Sequence, residues 1–340
     1  MLKRLFKTIA IAALCSGIAV SACAAPMTPF EKMKAEMLGK VAPVPQPSRK
    51  YKLGVLLISL SNPYWVAFKQ GYEAAAKEYG VTVDILAAPS ETDVAIQLDY
   101  LETMVNKGYD TLCISPITPF NLIPGIAKAT KKGLPVVVAG TWIDEAAAKE
   151  AGAVGNRVFT TDYELEGYAG AMYIAERLKD TGGKVAVIEG LPGATASEAR
   201  KAGALRAFKS FKSITVLGSQ PGNWDRTTAL NITMNLIQAH PDLKGIFCAN
   251  DTMALAAVEA LKSVGKKSQV MVVGVDFVPQ AKESIEAGEL DGSIAKTPFI
   301  AGYLAVITAI KILEKTPVTG VNMPIGLITQ SNIADFADWK

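Results

Sequence analysis

The sequence predicts an α/β protein made of two doubly wound parallel-sheet lobes. From residue 52 onward, short apolar runs alternate regularly with amphipathic, helix-like segments, a pattern typical of βαβ units and a parallel sheet. The alternation runs through two successive series, and 340 residues are too many for one ordinary core. We therefore expect two lobes, each built around its own sheet.

The first series runs from "KLGVLLIS" to "LPVVVAG". Its first two predicted helices stop at glycines, Gly80 and Gly108. In chain order we predict strand 52–59, helix 63–80, strand 81–88, helix 93–108, strand 110–115, helix 121–133 and strand 134–140.

The second series follows a crossing segment, "AVGNRVFTTD". It repeats the same rhythm of buried strand and periodic helix. In chain order we predict helix 163–183, strand 184–190, helix 198–211, strand 214–220, helix 225–241, strand 244–251, helix 252–266 and strand 268–276.

The N-terminus has the three regions of a secretory signal peptide, which we assign to residues 1–24. Basic "MLKRLFK" precedes apolar "TIAIAALCSGIAV" and the small residues of "SACAAP". Ala22-Cys23-Ala24 fits ordinary cleavage, whereas "VSAC" resembles a lipoprotein box in which Cys23 is acylated. We expect an exported protein that is soluble or, in the alternative, anchored through Cys23.

Residues 25–50 form a predicted leader or linker. "EKMKAEML" allows one or two helical turns, and "APVPQP" then favours extended, polyproline-like backbone. The mature chain keeps Cys113 and Cys248, both in apolar strands. We expect two buried thiols there rather than a disulfide.

Composition and motifs argue against several classes of function. The net charge is only +3 and the basic residues are scattered, so the chain lacks the basic stripe that nucleic-acid binding needs. The single histidine, His240, cannot build a His-based metal site, and it lies far in the chain from any candidate nucleophile. "GLPGATASEAR" lacks the residues of a phosphate-binding loop. We expect no enzyme activity, no cofactor and no metal.

Polar and aromatic residues follow the predicted strands where ligands bind in doubly wound sheets, beyond the carboxyl ends. "SNPYW" places Asn62, Tyr64 and Trp65 directly after the first strand, either as a cap on the core or as a pocket wall. Convergent amides, indoles, a carboxylate and cations indicate a site for a small polar ligand. The other residues at strand ends include Thr141, Trp142, Gly190, Gln220, Trp224, Asn250, Asp251, Asp276 and Lys296.

Four stretches resemble the ribose- and allose-type periplasmic sugar-binding proteins of ABC transporters. They are "SNPYWVAFKQGYEAAAKEYGV", "SQPGNWDRTTALN", "FCANDTMALAAVEAL" and "VMVVGVDFVPQAKESIEAGEL", and the resemblance spans about residues 51–329. It implies the type I periplasmic binding protein fold, in which two lobes joined by a three-crossover hinge close on a sugar. It also implies a periplasmic location, a monomer, and docking on a membrane permease.

The same resemblance gives lobe boundaries and site residues. The N-terminal lobe would comprise residues 51–161 plus 297–327, and the C-terminal lobe residues 162–296 plus 328–340. Asn62 would bond sugar hydroxyls, aromatic rings would cover the C–H faces of the sugar, and Asp276 would accept two hydroxyl protons. The full predicted set is Asn62, Tyr64, Trp65, Thr141, Arg200, Trp224, Asn250, Asp276 and Lys296.

Three positions depart from the family pattern. Gly140 and Thr141 stand where an acidic residue usually grips the sugar, Ile58 replaces a polar side chain, and Lys296 replaces a glutamine of the ribose type. The resemblance therefore leaves open a neutral sugar or a ligand with a carboxylate or phosphate that Arg200 and Lys296 would bind. Asp251 is equally compatible with a ligand role and with capping the next helix.

Two functions of different classes remain. The first is a transport receptor that delivers a sugar to an ABC permease. The second is a sensory receptor that reports its ligand state to a membrane histidine kinase or chemoreceptor. An enzyme that turns over a bound sugar with paired carboxylates is a third and weaker hypothesis.

Overall fold

The computed structural model describes residues 27–339. The predicted signal peptide and the choice between a soluble and a Cys23-anchored form lie outside these residues. Within them, no helix combines the length and the apolar character needed to cross a membrane.

Eleven α-helices, two short 3-10 helices (Lys267–Gln269 and Ile333–Phe336) and thirteen strands form the secondary structure of this part of the chain. The helices are α1 Pro29–Val41, α2 Pro63–Tyr79, α3 Val94–Met104, α4 Ile123–Lys131, α5 Glu145–Glu150, α6 Tyr163–Leu178, α7 Thr195–Lys209, α8 Arg226–Ala239, α9 Asp251–Ser263, α10 Pro279–Glu286 and α11 Pro298–Leu313. The strands are β1 Lys52–Ser59, β2 Thr82–Ala88, β3 Thr111–Ile114, β4 Val136–Val138, β5 Asn156–Arg157, β6 Phe159–Thr160, β7 Gly183–Glu189, β8 Ile214–Pro221, β9 Leu243–Cys248, β10 Met271–Asp276, β11 Gly292–Ala295, β12 Val321–Asn322 and β13 Gly326–Ile328.

The first lobe is a five-stranded parallel sheet in the order β2-β1-β3-β4-β5. One face packs against α1, α2 and α11, and the other against α3, α4 and α5. β1 is buried on both faces beyond its first residue, which explains its continuous apolar run.

The second lobe is a six-stranded sheet in the order β13-β11-β10-β9-β7-β8. Helices α6 and α7 cover one face, and α8, α9 and α10 the other. Only β13 runs antiparallel within this sheet, paired with β11. Residues 326 and 327, which the sequence analysis assigned to the first lobe, therefore belong to the second sheet.

The chain passes between the lobes three times. The first passage follows β6, the second lies between β11 and α11, and the third follows β12. β6 and β12 pair as a small parallel sheet between the two larger ones. The predicted fold class, two doubly wound lobes with a three-crossover hinge, is confirmed.

Glycines allow the main helix pair of each lobe to touch backbone to backbone. In the first lobe, a Cβ added to Gly71 of α2 would stand 2.0 Å from the Phe299 carbonyl oxygen of α11. In the second lobe, a Cβ on Gly203 of α7 would stand 2.0 Å from the Glu164 carbonyl oxygen, and one on Gly167 of α6 would stand 1.9 Å from that of Arg200. The α6–α7 crossing brings the backbone of Arg200 directly against α6.

The leader differs from the prediction of one or two helical turns. Thr28 and Glu31 form a capping box that starts a 13-residue helix, α1. Its residues Phe30 and Met37 are buried against the first lobe, and the Lys311 Nζ of α11 donates to the Val41 carbonyl oxygen at 2.5 Å. Burial of this apolar side extends the helix beyond what local pattern suggested.

The C-terminal segment connects this leader to the second lobe. The Trp339 ring lies 6.1 Å from the Phe30 ring and 5.1 Å from the Phe336 ring, centroid to centroid. Its indole Nε1 donates to the Lys296 carbonyl oxygen at 2.6 Å, at one of the lobe crossovers. Trp339 thus packs against the cores of both lobes.

Cys113 and Cys248 are buried and unpaired, as expected. Burial raises the pKa of the Cys113 thiol to about 12, so it stays protonated at neutral pH.

A first prediction concerns the α6–α7 crossing. Gly203→Ala should lower the free energy of unfolding by about 1–3 kcal/mol, because its Cβ meets backbone that cannot move independently. Gly39→Ala is the matched control: Gly39 lies inside α1 with nothing within 4 Å of an added Cβ. It should stabilise by about 0.5–1 kcal/mol. Urea unfolding of both variants measures the difference, and equal effects would contradict the close approach.

Candidate functional site

The nine residues predicted from the sequence line one cavity between the lobes. It encloses about 540 Å³ of empty space, a volume that includes the open mouth. The first lobe contributes Asn62, Tyr64, Trp65 and Thr141, and the second lobe with its crossover contributes Arg200, Trp224, Asn250, Asp276 and Lys296.

The aromatic wall of the first lobe results from how α2 begins. Asn62 is the N-cap, and its Oδ1 accepts the Tyr64 backbone N–H at 2.9 Å. Tyr64 and Trp65 therefore lie in the first turn, with their rings edge to face at 5.0 Å. Gly140 has a φ of +82°, and the Trp65 ring lies 3.1 Å from the position that a Cβ on residue 140 would occupy. The departure at Gly140 thus makes room for the indole.

The facing aromatic is held by unusual backbone. Asn223 and Trp224 have φ values of 53° and 64°, and Asp276 has 112°. Non-glycine residues rarely adopt these conformations, which are concentrated at functional sites. Gly190 at the end of β7 leaves space for the Trp224 indole, since an added Cβ would lie 2.1 Å from that ring.

A cluster of four buried charges lies on the second-lobe side. Arg200 Nε donates to Glu166 Oε2 at 2.6 Å, and Arg200 Nη2 lies 3.6 Å from Asp276 Oδ1. Lys296 Nζ lies 3.3 Å from Glu166 Oε1. Arg200 Nη1 also donates to the Ala249 carbonyl oxygen at 2.6 Å. Glu166 is fully buried and joins both cations from behind the cavity wall.

The cluster shifts the pKa values of its members. Burial raises the pKa of Asp276 to about 6, although Arg200 and Lys296 partly oppose this. Burial also lowers the pKa of Lys296 below its ordinary value, with Glu166 working against it. For Arg200, burial disfavours the charge, but Glu166 and Asp276 together hold its pKa above the ordinary value.

Lys296 also contacts the aromatic wall. Its Nζ lies 4.8 Å from the Tyr64 ring centroid and 4.9 Å from that of Tyr163. The lysine that the sequence analysis singled out as a departure is therefore not a free cation in the cavity. One carboxylate and two rings already surround it.

Asn250 and its neighbour have separate roles. Asn250 caps α9, because its Oδ1 accepts the Met253 N–H at 3.0 Å, while its Nδ2 is buried without a protein partner. Asp251 instead accepts the Ser293 hydroxyl at 2.7 Å and the Val278 N–H at 3.0 Å. Of the two roles considered for Asp251, the structure shows neither: its carboxylate connects β11 to the segment that follows β10.

Three residues of the site region escaped the sequence analysis. Glu91 follows β2 at its carboxyl end, so the strand-end rule could have found it; burial raises the pKa of its carboxyl to about 7. Tyr163 opens α6, and its hydroxyl donates to the Gly140 carbonyl oxygen. Glu166 lies inside "YELEGY", where nothing local distinguishes it from a surface glutamate.

No group of His, Cys, Asp and Glu side chains within residues 27–339 is arranged to hold a metal ion. The site instead offers hydrogen-bonding groups between aromatic faces. Such an arrangement suits a compact, polyhydroxylated ligand.

Comparison with known proteins identifies the family. A family model described as periplasmic binding protein domain matches residues 53–317. The chain belongs to this family. The D-allose-binding periplasmic protein of Escherichia coli (strain K12) is 39% identical to this binding protein over 281 residues, 83% of this chain and 89% of that protein.

Two further relatives agree. The ribose import binding protein of Bacillus subtilis (strain 168) is 34% identical over 285 residues, 83% of this chain and 88% of that protein. A crystal structure of an ABC transporter periplasmic solute binding protein from Actinobacillus succinogenes 130z, with bound D-allose, has a TM-score of 0.79 at 32% identity. The match covers 84% of this chain and 100% of that one.

A second prediction concerns the charge cluster of this binding protein. Glu166→Gln should lower the free energy of unfolding by about 3–5 kcal/mol, because two buried cations lose their shared partner. Glu164→Gln is the matched control, since Glu164 pairs with Arg206 across the same two helices but at the exposed surface. It should cost less than about 1 kcal/mol. Similar urea midpoints for the two variants would contradict the importance of the buried cluster.

Proposed function

We propose that the chain is a periplasmic receptor that captures a neutral monosaccharide, of the allose and ribose class, between its two lobes. It then delivers the sugar, as a monomer, to the membrane permease of an ABC transporter. The proposal includes export by the N-terminal signal segment. The names and bound ligands of the relatives described above support the transport role and the class of ligand.

The balanced charge of the buried cluster is the observation that supports a neutral ligand. Two cations, Arg200 and Lys296, face two carboxylates, Glu166 and Asp276, so their formal charges cancel. A sugar acid or phosphate would bring an additional charge into a region whose cations already have partners, which is costly. A neutral polyol adds none.

The remaining contacts match a sugar. The rings of Tyr64, Trp65 and Trp224 can cover its apolar C–H faces, as aromatic side chains cover apolar surface elsewhere. The Asp276 carboxylate can accept hydroxyl protons, and the unpartnered Nδ2 of Asn250 can donate to a hydroxyl oxygen. The ligand would thus satisfy a buried donor that the protein leaves open.

The alternatives from the sequence analysis have less support. The relatives are named as binding and import proteins, and none of those described above is named as a sensor or an enzyme. The proposed role requires no turnover of the sugar.

A third prediction tests the ligand class. Calorimetry and thermal melts with D-allose, D-ribose, hexuronic acids and sugar phosphates should show binding by a neutral sugar only. At a hundred times its dissociation constant the sugar should stabilise the fold by about 2.7 kcal/mol. Asp276→Asn should weaken that binding by about 1.5–3 kcal/mol, the worth of a hydrogen bond to a charged group.

Asp242→Asn is the control, because Asp242 pairs with Lys184 at the surface and does not line the cavity. The affinity of Asp242→Asn for the sugar should equal that of the unaltered protein. Selective binding of the acidic sugars would overturn the neutral-ligand proposal, and would make Arg200 and Lys296 the selectivity pair.

A fourth prediction concerns pH. Because the pKa of Asp276 is about 6 in the empty site, protons compete with sugar hydroxyls below that pH, and affinity should fall up to about tenfold per pH unit. The empty protein responds with the opposite sign. Its native state holds this proton more tightly than the unfolded chain does, so this group's contribution to stability decreases between pH 3.8 and about 6 as pH rises.

Calorimetric titrations from pH 7.5 to pH 5, compared between the protein and Asp276→Asn, measure this effect. The variant should lose the part of the pH dependence that lies below about 6. An identical profile in both proteins would mean that Asp276 does not meet the ligand as a carboxylate.

A further inference from the structure

Glu91 is a carboxylate at the point where the cavity opens to its mouth. It lines the main cavity and also an outer recess, which it shares with Ser61 and Thr92 of the first lobe and with Asn223 and Arg226 of the second. The ligand role of this residue follows neither from the family resemblance nor from the charge cluster.

The other first-lobe groups around the cavity offer few free acceptors. Ile58, Pro116 and Ile117 present apolar side chains, and Gly140 has none. The Thr141 hydroxyl donates to the Pro116 carbonyl oxygen at 2.8 Å. Among the first-lobe residues that line the cavity, Glu91 is the only carboxylate.

Asn62 holds this carboxylate in place. Its Oδ1 caps α2, and its Nδ2 donates to Glu91 Oε1 at 2.8 Å. The sequence analysis expected the Asn62 amide to bond the sugar directly, but the oxygen and one N–H of that amide are engaged within the protein. Within residues 27–339, Asn62 is the only donor to the Glu91 carboxylate, so its second oxygen, Oε2, has no protein partner.

We propose that Glu91, positioned by Asn62, is the hydrogen-bond acceptor by which the first lobe distinguishes ligands with different hydroxyl patterns. It takes the place of the acidic residue that is missing at Gly140 and Thr141. A site built to hydrogen-bond a hydroxyl rejects an analogue that lacks it, because the acceptor is then left without its partner. Across the cavity Asp276 supplies a second carboxylate, so the two lobes hold a ligand through acceptors on opposite sides.

This inference rests on the proposed function, and its test uses D-allose, D-ribose and the monodeoxy analogues of whichever sugar binds. Calorimetry on the unaltered protein should show that removal of one particular hydroxyl weakens binding about ten- to a hundredfold. In Glu91→Ala the affinity for the parent sugar should fall by a similar factor. The further loss of affinity on going from the parent sugar to that one deoxy analogue should shrink to about twofold or less. Asn62→Ala should reduce the affinity difference between the parent sugar and the same deoxy analogue. It should not create a preference for a different hydroxyl.

Asp93→Asn is the matched control. Asp93 lies in the same loop, where its carboxylate accepts the Ser90 N–H at 2.8 Å, and it does not line the cavity. It should leave the ranking of the deoxy analogues unchanged. Melting curves of the empty variants check folding, and Glu91→Gln retains the shape of the side chain if Glu91→Ala is unstable.

The outcomes separate the two proposals. If the unaltered protein binds neither D-allose nor D-ribose, the proposed function fails, and the Glu91 assignment fails with it. If a sugar binds while each deoxy analogue loses as much affinity in Glu91→Ala and Glu91→Gln as in the unaltered protein, only the Glu91 assignment fails. If Asp93→Asn removes the discrimination as fully as Glu91→Ala does, loop order rather than a ligand contact explains it, and the assignment is overturned.

Discussion

The buried pairing of Glu166 with Arg200 and Lys296 is the interaction on which the site depends. A fully buried carboxylate is tolerated only when partners compensate its charge, and these two cations do so at 2.6 and 3.3 Å. The pairing requires α6 and α7 to lie almost in backbone contact, which Gly167 and Gly203 permit. The position of this buried ion pair behind the cavity wall therefore depends on one helix crossing.

Much of this arrangement was predictable from the sequence, because it follows from chain order. Parallel strands end at one edge, so residues placed after strands converge, and this rule accounts for eight of the nine predicted residues. Arg200 lies inside α7 and was predicted from the family resemblance alone. All nine line the cavity. Glu91 obeys the same rule and could have been found. Glu166 could not, since its role depends on a helix crossing that local pattern does not encode. The full length of α1 was also missed, because tertiary burial of Phe30 and Met37 stabilises it.

The chain ends add a connection that the matched family region, residues 53–317, does not contain. α1 lies on the first lobe, and Trp339 packs between Phe30 and Phe336, so aromatic contacts extend from one lobe to the other on the hinge side. Such contacts change when the lobes rotate, unlike contacts inside one lobe. Their strength therefore contributes to the free-energy difference between lobe arrangements.

Lys296 joins these two systems. Its side chain meets Glu166 and the Tyr64 ring, while its carbonyl oxygen accepts the Trp339 indole N–H. It also lies at the crossover between the lobes that connects β11 to α11. A hinge movement must therefore alter the surroundings of a buried charge. A ligand that stabilises the charge cluster in one geometry consequently stabilises the matching lobe arrangement, which is the coupling that the proposed role in sugar transport needs.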